Sequence, residues 1–362
     1  MPPINVSIVL PDGLGGKGGI ARIITYLMRE IEAHHPDIRV SAHATRLTER
    51  KLLNHASVPI GLAAFALACA RGRIDVAHIN VAARGSTWRK GLYVAVARAF
   101  GKPVILHLHG SGYNEFYAGL SQQKQSAVRN LFGKAQHVVA LSAFWSAFVR
   151  DALKIAPDHI AEIPNGVPAV PGAAPRAVGD GPPRIVFLGI LGQRKGVDVL
   201  IDALAKVAGE GLAWQAVLGG NGEVAAAQEQ AQRLGIADRI SFPGWVGEEE
   251  VHRYLSDGDI FVLPSRAENQ PVAILEAMAR ARPVIATRIG AIPEQVADGE
   301  TGLLVEPGDV DSLAAALRTL IADAPRRSAM GAAGLDRFAR FFSVESCASR
   351  FADLYRSSVA KR

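Results

Sequence analysis

The stretch 262–287, VLPSRAENQPVAILEAMARARPVIAT, constrains the fold more than any other part of the sequence. A short apolar run at 261–263 is followed by turn residues, a helical pattern and a second apolar run at 284–286. Gln270-Pro271 predicts the helix start, because proline at the first helical position loses no hydrogen bond. Pro283 predicts its end. Two buried strands joined by one helix run parallel, so the stretch predicts an α/β unit.

The same alternation of strand and helix patterns continues through most of the 362 residues, a length sufficient for two ordinary domains. Residues 168–183, PAVPGAAPRAVGDGPP, are rich in proline, glycine and alanine and predict a linker. We therefore expect doubly wound, Rossmann-like α/β domains over 1–167 and 184–342. Residues 343–362 predict a final helix that packs back towards the first domain.

A glycine-rich loop, PDGLGGKGG, follows the first predicted strand and precedes a helix. Gly13, Gly15 and Gly18 match the spacing of a dinucleotide fingerprint, which by itself is a weak signal. The second strand ends in His43-Ala44-Thr45, where that fingerprint would have an acidic residue. Glycines allow a ligand to approach the backbone, and a helix N-terminus favours an anion. The loop therefore predicts either a general anion site or a tight turn without a ligand.

A histidine pair ends the strand predicted at 104–109, in the sequence HLHGS. Alternation along a strand places His107 and His109 on one face, at the carboxyl end where parallel sheets bind ligands. We interpret His109, which precedes Gly110, as the functional member and His107 as a core residue. No third ligand has a suitable spacing, so we do not expect a metal here.

Charge is distributed unevenly along the chain. Residues 1–180 contain 20 Lys and Arg against 11 Asp and Glu, whereas residues 181–362 contain 20 against 23. A basic first half suggests an anionic partner, either a membrane surface or a phosphorylated acceptor, although ordinary surface charge is an alternative. The cations are not interleaved with aromatic residues, so nucleic acid is not expected.

The chain carries no pattern of an exported or membrane-spanning protein. Its start lacks a basic segment followed by an apolar core, which predicts no signal peptide. No apolar run reaches the length of a membrane span, and the longest, 58–70, predicts a buried helix. Cys69 and Cys347 do not form a disulfide framework, which fits a reducing compartment. We expect a cytoplasmic protein, in peripheral contact with the cytoplasmic face of a membrane.

Several motifs occur in an order that resembles one enzyme family. They are GGKGGIAR, HLHGS, IPNGVP, FLGILGQRKGVDVL, LGGNG, FPGWV, SRAENQPVAILEAMARARPVIAT and IPEQVADGETGLLVEPGD. Over about 300 residues the chain resembles the retaining glycosyltransferases of the GT-B fold, in particular family 4 (glycosyltransferase group 1). The resemblance is clearest over 184–309, and its Glu-x7-Glu element is Glu268 and Glu276.

The resemblance implies a role for each matching residue. Glu276 accepts hydrogen bonds from the vicinal ribose hydroxyls of the nucleotide, and Glu268 lies near the donor sugar. Lys195 and Arg194 neutralise the leaving diphosphate, and His109 contacts sugar or acceptor. The other implied contacts with the nucleotide sugar are the backbone of Asn269, Gln270, Pro271, Val272 and Ala273, the base-bordering Trp245 and Val246, Gly219, and the loop glycines Gly15 and Gly16.

Two positions depart from the family pattern. Ile190 stands where the family often has arginine, and Asn269 stands where glycine is common. Asp257-Gly258-Asp259 resembles the metal motif of another glycosyltransferase fold, but it lies at a predicted helix–strand turn, where these residues are ordinary. The resemblance implies neither a metal nor a cofactor beyond the donor substrate.

The implied activity is transfer of a hexosyl group, with retention, from a UDP- or GDP-linked sugar to an acceptor hydroxyl. The acceptor would be a lipid-linked or polysaccharide-precursor glycan. Lys17 and the segment containing Trp88, Arg89 and Lys90 are candidate acceptor or membrane contacts, with a solvated loop as the alternative. Three other functions stay open: a non-catalytic sugar-nucleotide-binding module, favoured by Ile190, a GT-B-fold sugar-nucleotide epimerase, and a dehydrogenase.

Overall fold

The computed structural model describes residues 2–11, 14, 18–45, 51–177 and 181–360, and for residues 51–57 it describes the backbone alone. The chain divides into two compact units. The first consists of residues 1–168 and 343–362, and the second consists of residues 169–342. Within the described ranges, no helix is both long and apolar enough to cross a membrane.

The first unit is built on a parallel sheet, with six strands in its described residues and the order β2-β1-β3-β4-β5-β6. The order reverses between the first and third strands, so their carboxyl ends flank the crevice where doubly wound sheets bind ligands. The strands are β1 (Ile4–Leu10), β2 (Ile38–Ala44), β3 (Val76–Val81), β4 (Val104–Leu108), β5 (His137–Ala140) and β6 (Ile160–Glu162).

Helices cover both faces of this sheet, and its central strands are therefore almost wholly buried. Right-handed crossovers place the helices that follow β2 to β5 on one face and the helix that follows β1 on the other. The helices are α1 (Gly19–His34), α2 (Lys51–Ala70), α3 (Gly85–Ala99), α4 (Tyr113–Ala118), α5 (Gln122–Phe132), α6 (Ala143–Asp151) and the C-terminal α14 (Val344–Ala360).

The C-terminal helix belongs to the core of the first unit. Phe351 and Tyr355 of α14 pack in one cluster with Ile24 and Leu27 of α1 and with Ile8 of β1. All five side chains are at most 1% exposed. The chain therefore returns to its first domain after completing the second.

The second unit contains six described parallel strands in the order β12-β11-β10-β7-β8-β9. This is the order of a dinucleotide-binding fold, and its reversal lies between the first and fourth strands of the unit. The strands are β7 (Arg184–Leu188), β8 (Gln215–Gly219), β9 (Ile240–Ser241), β10 (Ile260–Leu263), β11 (Val284–Thr287) and β12 (Gly302–Val305). The helices are α7 (Val197–Gly209), α8 (Val224–Arg233), α9 (Glu248–Asp257), α10 (Val272–Met278), α11 (Ile292–Gln295), α12 (Val310–Ala322) and α13 (Ala324–Phe341).

Three local expectations from the sequence are wrong. The segment of Trp88, Arg89 and Lys90 is helical and is not the solvated loop considered above, because α3 begins at Gly85. The expected buried helix over 58–70 lies within α2, but Ile60 is 63% exposed and Leu67 is 49% exposed. Pro271 is the residue before α10 and not its first helical residue, because its backbone is extended (ψ 123°). One-residue differences of this last kind are common at helix ends.

Candidate functional site

The carboxyl ends of β7 and β10 meet at the reversal of strand order in the second unit, and their loops are closely packed. Gly196, at the end of the loop after β7, has a positive φ of 69°. A Cβ at this position would lie 2.0 Å from the carbonyl oxygen of Pro264, which follows β10. Only glycine fits such an approach, and the sequence QRKG therefore keeps these two loops in contact.

An ion pair joins the two loops. Lys195, in a 3₁₀ turn formed by Gln193–Lys195, donates to the carboxylate of Glu268. The hydroxyl of Ser265 donates to the same oxygen over 2.8 Å. The side chains are only 15% exposed for Lys195 and 8% exposed for Glu268. The structure thus brings together a cation and a carboxylate that lie 73 positions apart in the sequence.

A second, more exposed ion pair supports the same loops. Arg266 forms two hydrogen bonds of 2.8 Å with the carboxylate of Asp198 at the start of α7. The hydrogen bond with Arg266 lowers the pKa of Asp198. Arg194, which the sequence analysis placed at the diphosphate, is exposed, and its guanidinium lies 3.5 Å from the carbonyl oxygen of Ala267.

The turn after β10 is fixed from a third side by the loop after β11. A Cβ at Gly290, where φ is 52°, would lie 2.5 Å from the carbonyl oxygen of Glu268. The amide of Ala291 donates to the carbonyl of Asn269 over 2.9 Å. Thr287 donates from its hydroxyl to the carbonyl of Ser265 over 2.6 Å. The turn that contains Glu268 is therefore fixed by contacts with the end of β11 and with the loop that follows it.

The polar residues that follow Glu268 are buried. Asn269, Gln270 and Glu276 are each 5% exposed. Pro271 is buried, whereas Val272 and Ala273 are partly exposed at the first positions of α10. Burying a carboxylate is unfavourable unless it has polar partners. The position of Glu276 within α10 therefore differs from that of a solvated acid on a helix surface.

The loop after β8 lies beside the loop after β7. The backbone amide of Gly189 donates to the carbonyl oxygen of Gly219 over 3.0 Å. A Cβ at Gly219 would lie 2.9 Å from a methyl group of Leu188. Val246 is 7% exposed and borders Gly219, whereas Trp245 is 55% exposed. These residues therefore lie at the same edge of the sheet as the ion pair.

Ile190 occupies an exposed position on the loop after β7. Its side chain is 56% exposed, although large aliphatic residues usually bury most of their surface. The family resemblance leads us to expect an arginine at this position, and its guanidinium would be exposed here. The cations that the structure places nearby on the same loop are Arg194 and Lys195.

In the first unit, His109 follows β4 and is 9% exposed. Its amide donates to Val81 over 2.9 Å, and its Nε2 is buried without a hydrogen-bond partner among the described residues. Burial, with a smaller contribution from the positive charge of Lys90, lowers the pKa of His109 to about 3. His109 is therefore neutral at physiological pH and retains one unsatisfied ring nitrogen.

Lys90 is not a surface contact. Because α3 begins at Gly85, Lys90 lies on its buried face with Thr87 and Ala97. Its side chain is 0% exposed, and its Nζ donates to the carbonyl of Val9 in β1 over 3.3 Å. Its charge therefore lies beside the carboxyl end of β1.

The neighbours of Lys90 face other directions. Trp88 is 41% exposed. Arg89 is partly exposed and donates to the hydroxyl of Thr45 over 3.3 Å. Gly15, Gly16 and Lys17 lie outside the described residues, so their expected roles stay predictions.

Asp257 and Asp259 lie at the opposite edge of the second sheet from the ion pair, because they precede β10. Asp259 accepts a 2.8 Å hydrogen bond from the guanidinium of Arg176 and another from the backbone amide of Arg184. A Cβ at Gly258 would lie 2.5 Å from a methyl group of Val186. This segment therefore has structural contacts of its own.

Sequence reasoning did not select Ser265, Asp198 or Arg266. Ser265 follows an apolar strand directly, and such carboxyl-end positions in parallel sheets are candidates for a site. That signal could have identified it. The Asp198–Arg266 pair joins two loops separated by 68 positions and carries no local sequence signal.

Family comparisons match both halves of the chain. Residues 17–169 match the model of Glycosyltransferase Family 4, and residues 182–323 match that of Glycosyl transferases group 1. The GDP-mannose-dependent alpha-(1-6)-phosphatidylinositol monomannoside mannosyltransferase of Mycobacterium tuberculosis is 34% identical over 191 residues, 50% of this chain and 49% of that protein. The lipopolysaccharide core biosynthesis glycosyltransferase LpsE of Rhizobium meliloti is 32% identical over 175 residues, 48% of this chain and 50% of that protein. The chain thus spans about half the length of these curated relatives.

Solved structures with the same fold cover nearly the whole chain. Sucrose-phosphate synthase from Thermosynechococcus elongatus has a TM-score of 0.83 at 21% identity, covering 99% of this chain and all of that one. Anabaena HepE in complex with UDP-glucose has a TM-score of 0.74 at 21% identity, covering 98% of this chain and all of that one. At this identity the likeness concerns the fold, and it confirms the predicted GT-B type with two Rossmann-like α/β halves.

Proposed function

The chain belongs to the family 4 (group 1) glycosyltransferases, and from that premise we propose that it transfers a hexosyl group from a UDP- or GDP-linked sugar to an acceptor hydroxyl. The observation that carries this proposal is the Lys195–Glu268 ion pair with Ser265 at the strand-order reversal of the second unit. Crevices at such reversals are where doubly wound sheets bind nucleotides. Two of its members, Lys195 and Glu268, are the residues to which the family resemblance assigns the chemistry.

The donor would bind to the second unit. Glu276 would accept hydrogen bonds from the ribose hydroxyls, since a carboxylate accepts from two vicinal donors. Its burial supports a defined partner over a solvated acid. Trp245 and Val246 would border the base, and Gly219 would allow close approach of the nucleotide to the backbone.

Lys195 and Arg194 would stabilise the negative charge that develops on the departing diphosphate. This positive charge, fixed by the 3₁₀ turn and the loop around it, supports a reaction that needs neither a metal nor a cofactor. Glu268 would hold Lys195 in place and either bind a sugar hydroxyl or stabilise positive charge at the anomeric carbon. Retention would follow from attack on the face from which the phosphate leaves, with that phosphate accepting the acceptor proton.

The acceptor would meet the first unit. Neutral His109, with its unsatisfied Nε2, suits a hydrogen bond with a sugar hydroxyl. The relatives act in phosphatidylinositol mannoside and lipopolysaccharide core synthesis by their names. We therefore propose a lipid-linked or polysaccharide-precursor acceptor for this chain.

A membrane contact would bring the enzyme to such an acceptor. Helices α2 and α3 each expose two large apolar side chains, which are 41–63% exposed. We call them together the α2–α3 surface: Ile60 and Leu67 on α2, and Trp88 and Leu92 on α3. The sequence from Val58 to Ala70 contains no charged residue, and exposed arginines follow at Arg71 and Arg73. An apolar face with cations at its end and an exposed tryptophan fits the surface of an anionic bilayer. We propose peripheral binding at the cytoplasmic leaflet through this surface.

Nucleotide binding provides the test. We expect the melting temperature to rise selectively with UDP, GDP or ADP, and the shift to disappear in Glu276→Ala. Asp257→Ala, at the opposite sheet edge, is the matched control and should keep the shift. Loss of the shift in Asp257→Ala with its retention in Glu276→Ala would place the nucleotide elsewhere.

The non-catalytic binding module is the second candidate, and the exposed Ile190 favours it. Turnover separates the two candidates. The enzyme proposal expects release of UDP from UDP-glucose or of GDP from GDP-mannose, with the sugar moved to an added membrane glycolipid fraction. Selective nucleotide binding without release from any donor would support the binding module instead.

A further inference from the structure

A chain of buried side chains in the first unit connects its last helix to the carboxyl end of β4. The Tyr355 hydroxyl of α14 lies 2.7 Å from Nδ1 of His78 on β3. Nε2 of His78 lies 3.1 Å from Nδ1 of His107 on β4. The ring of His107 packs against that of His109, with centroids 3.8 Å apart and planes inclined at 41°. The contacts thus extend from α14 to the candidate acceptor residue.

Helix α14 also covers this row of buried side chains. Phe351, one turn before Tyr355, stacks on His78 with a centroid distance of 5.1 Å and an inclination of 22°. It also lies 5.3 Å from the ring of His107. Tyr355, His78 and His107 are at most 1% exposed. Bulk solvent therefore does not reach these side chains, and each ring is held by packing as well as by hydrogen bonds.

The hydrogen-bond partners of Tyr355 and His107, the two ends of the row, determine which nitrogen of each ring carries the proton. Burial holds the pKa of His78 at about 3, that of His107 well below its ordinary value and that of Tyr355 well above its own, so all three are neutral. Each imidazole then has one N–H. Among the described residues, the Tyr355 hydroxyl has no other hydrogen-bond partner. Its proton is satisfied only if it donates to His78 Nδ1.

This donation determines which ring nitrogen carries the proton in His78 and in His107. His78 must have its proton on Nε2 and donate to Nδ1 of His107, and His107 must have its proton on Nε2. The reverse direction would leave both the Tyr355 proton and the His107 Nε2 lone pair unsatisfied, whereas this direction leaves one unpartnered group, His107 Nε2. Unsatisfied buried polar groups are costly, so the direction from Tyr355 to His107 is favoured.

We propose that Tyr355 is a positioning residue for His109, acting through hydrogen bonds that fix the ring of His107 against the ring of His109. The inference rests on the proposed function only in that His109 contacts the substrate. It makes α14, from the end of the chain, part of the acceptor site of the first unit.

Nitrogen NMR of the whole protein with isotope-labelled histidines tests these hydrogen bonds directly. In the unsubstituted protein, the ring spectra of His78 and His107 should each show the proton on Nε2. In Tyr355→Phe, which keeps the ring and loses the hydroxyl, both residues should become mixtures of tautomers, and the His109 resonances should shift. A proton on Nδ1 of His78 in the unsubstituted protein overturns the proposal without any variant.

Turnover tests the positioning. Tyr355→Phe should lower kcat by roughly 10- to 100-fold, the range expected when a contacting group is misoriented, with little change in KM for the donor. Tyr117→Phe is the matched control. Tyr117 is also buried, and its hydroxyl donates to the carbonyl of Ala152 and accepts from Arg129, away from the histidines. It should leave the histidine spectra and kcat unchanged.

The outcomes separate this inference from the proposed function. Unchanged histidine spectra in Tyr355→Phe, or altered spectra with unchanged kcat while His109→Asn is inactive, overturn the positioning role. If His109→Asn keeps full turnover, the assigned role of His109 fails, and the positioning role fails with it. If no donor is turned over by the unsubstituted protein, the proposed function fails, and a shift of the His109 resonances in Tyr355→Phe still decides the coupling.

Discussion

Lys195 and Glu268 form an ion pair that connects the loop after β7 with the turn after β10. Both side chains are largely buried, and Ser265 donates to the same carboxylate oxygen. The loops that carry this pair are held together by glycines that allow close backbone contact, and the fold itself therefore positions the two charged groups. Preorganised charge is the arrangement that stabilises a developing anion most effectively.

Removing either member of this pair should impair catalysis more than binding. We expect Lys195→Gln and Glu268→Gln each to lower kcat by roughly 100-fold, the loss typical for one preorganised electrostatic contact. Because the two side chains act as a unit, the double variant should lose much less than the product of the two factors. Steady-state kinetics of the three variants gives the coupling. Multiplicative losses would mean that the residues act independently.

Gly196→Ala should destabilise the second unit and misplace the ion pair. The added Cβ would lie 2.0 Å from the Pro264 carbonyl oxygen at a φ of 69°, and we expect a loss of roughly 3 kcal/mol or more in urea unfolding. Gly211→Ala is the matched control, since Gly211 has a φ of 82° and no atom within 4 Å of the added Cβ. It should lose only about 1–2 kcal/mol. Equal losses would show that backbone conformation alone explains the effect.

The parts of the fold that the sequence predicted well are those with local signals. Alternating apolar runs and glycine-containing turns predict the parallel α/β halves. Pro283 predicts a helix end before β11, but α10 already ends at Met278, five residues before this proline. Lys90 was misread because its burial depends on where α3 begins, and nothing in WRKG indicates a sheet beneath it. The contacts of Tyr355 with His78 and of Arg266 with Asp198 span 277 and 68 positions. Such pairs arise from topology, which a single sequence does not specify residue by residue.

The α2–α3 surface should bind anionic vesicles through its apolar side chains. In Trp88→Ser with Leu92→Ser, the partition coefficient onto phosphatidylglycerol-containing vesicles should fall by roughly tenfold or more, because two large apolar side chains no longer enter the interface. Leu234→Ser serves as the control, since Leu234 is 42% exposed in the second unit. Sedimentation with vesicles measures the effect. An equal loss in the control, or none in the double variant, would reject this surface.

Acid should destabilise the first unit through its buried histidines. The pKa values of His78 and His109 are about 3 in the folded state, against an ordinary 6.5, so below pH 6.5 the unfolded state binds protons that the folded state does not. Their contribution to stability is therefore complete above pH 6.5 and is lost progressively as the pH falls towards 3, at up to about 1.4 kcal/mol per pH unit for each histidine.

His109→Gln isolates one of these contributions. The difference in urea midpoint between this variant and the unsubstituted protein should be constant above pH 6.5 and should change steadily below it, because glutamine does not titrate. Urea titrations at pH 7.5, 6.0, 5.0 and 4.5 provide the measurement. A difference that stays constant down to pH 4.5 would contradict the low pKa.

Ile190→Arg should strengthen nucleotide binding. Ile190 is 56% exposed on the loop that carries Arg194 and Lys195, so an arginine there would extend towards the proposed diphosphate site without displacing buried atoms. A charge-assisted hydrogen bond with phosphate should tighten binding of UDP or GDP by about tenfold, and the gain should shrink at high salt because exposed charges are screened. Ile190→Gln, with a long uncharged side chain, is the control. Calorimetric titration that finds the same affinity for both variants would mean that Ile190 does not face the diphosphate.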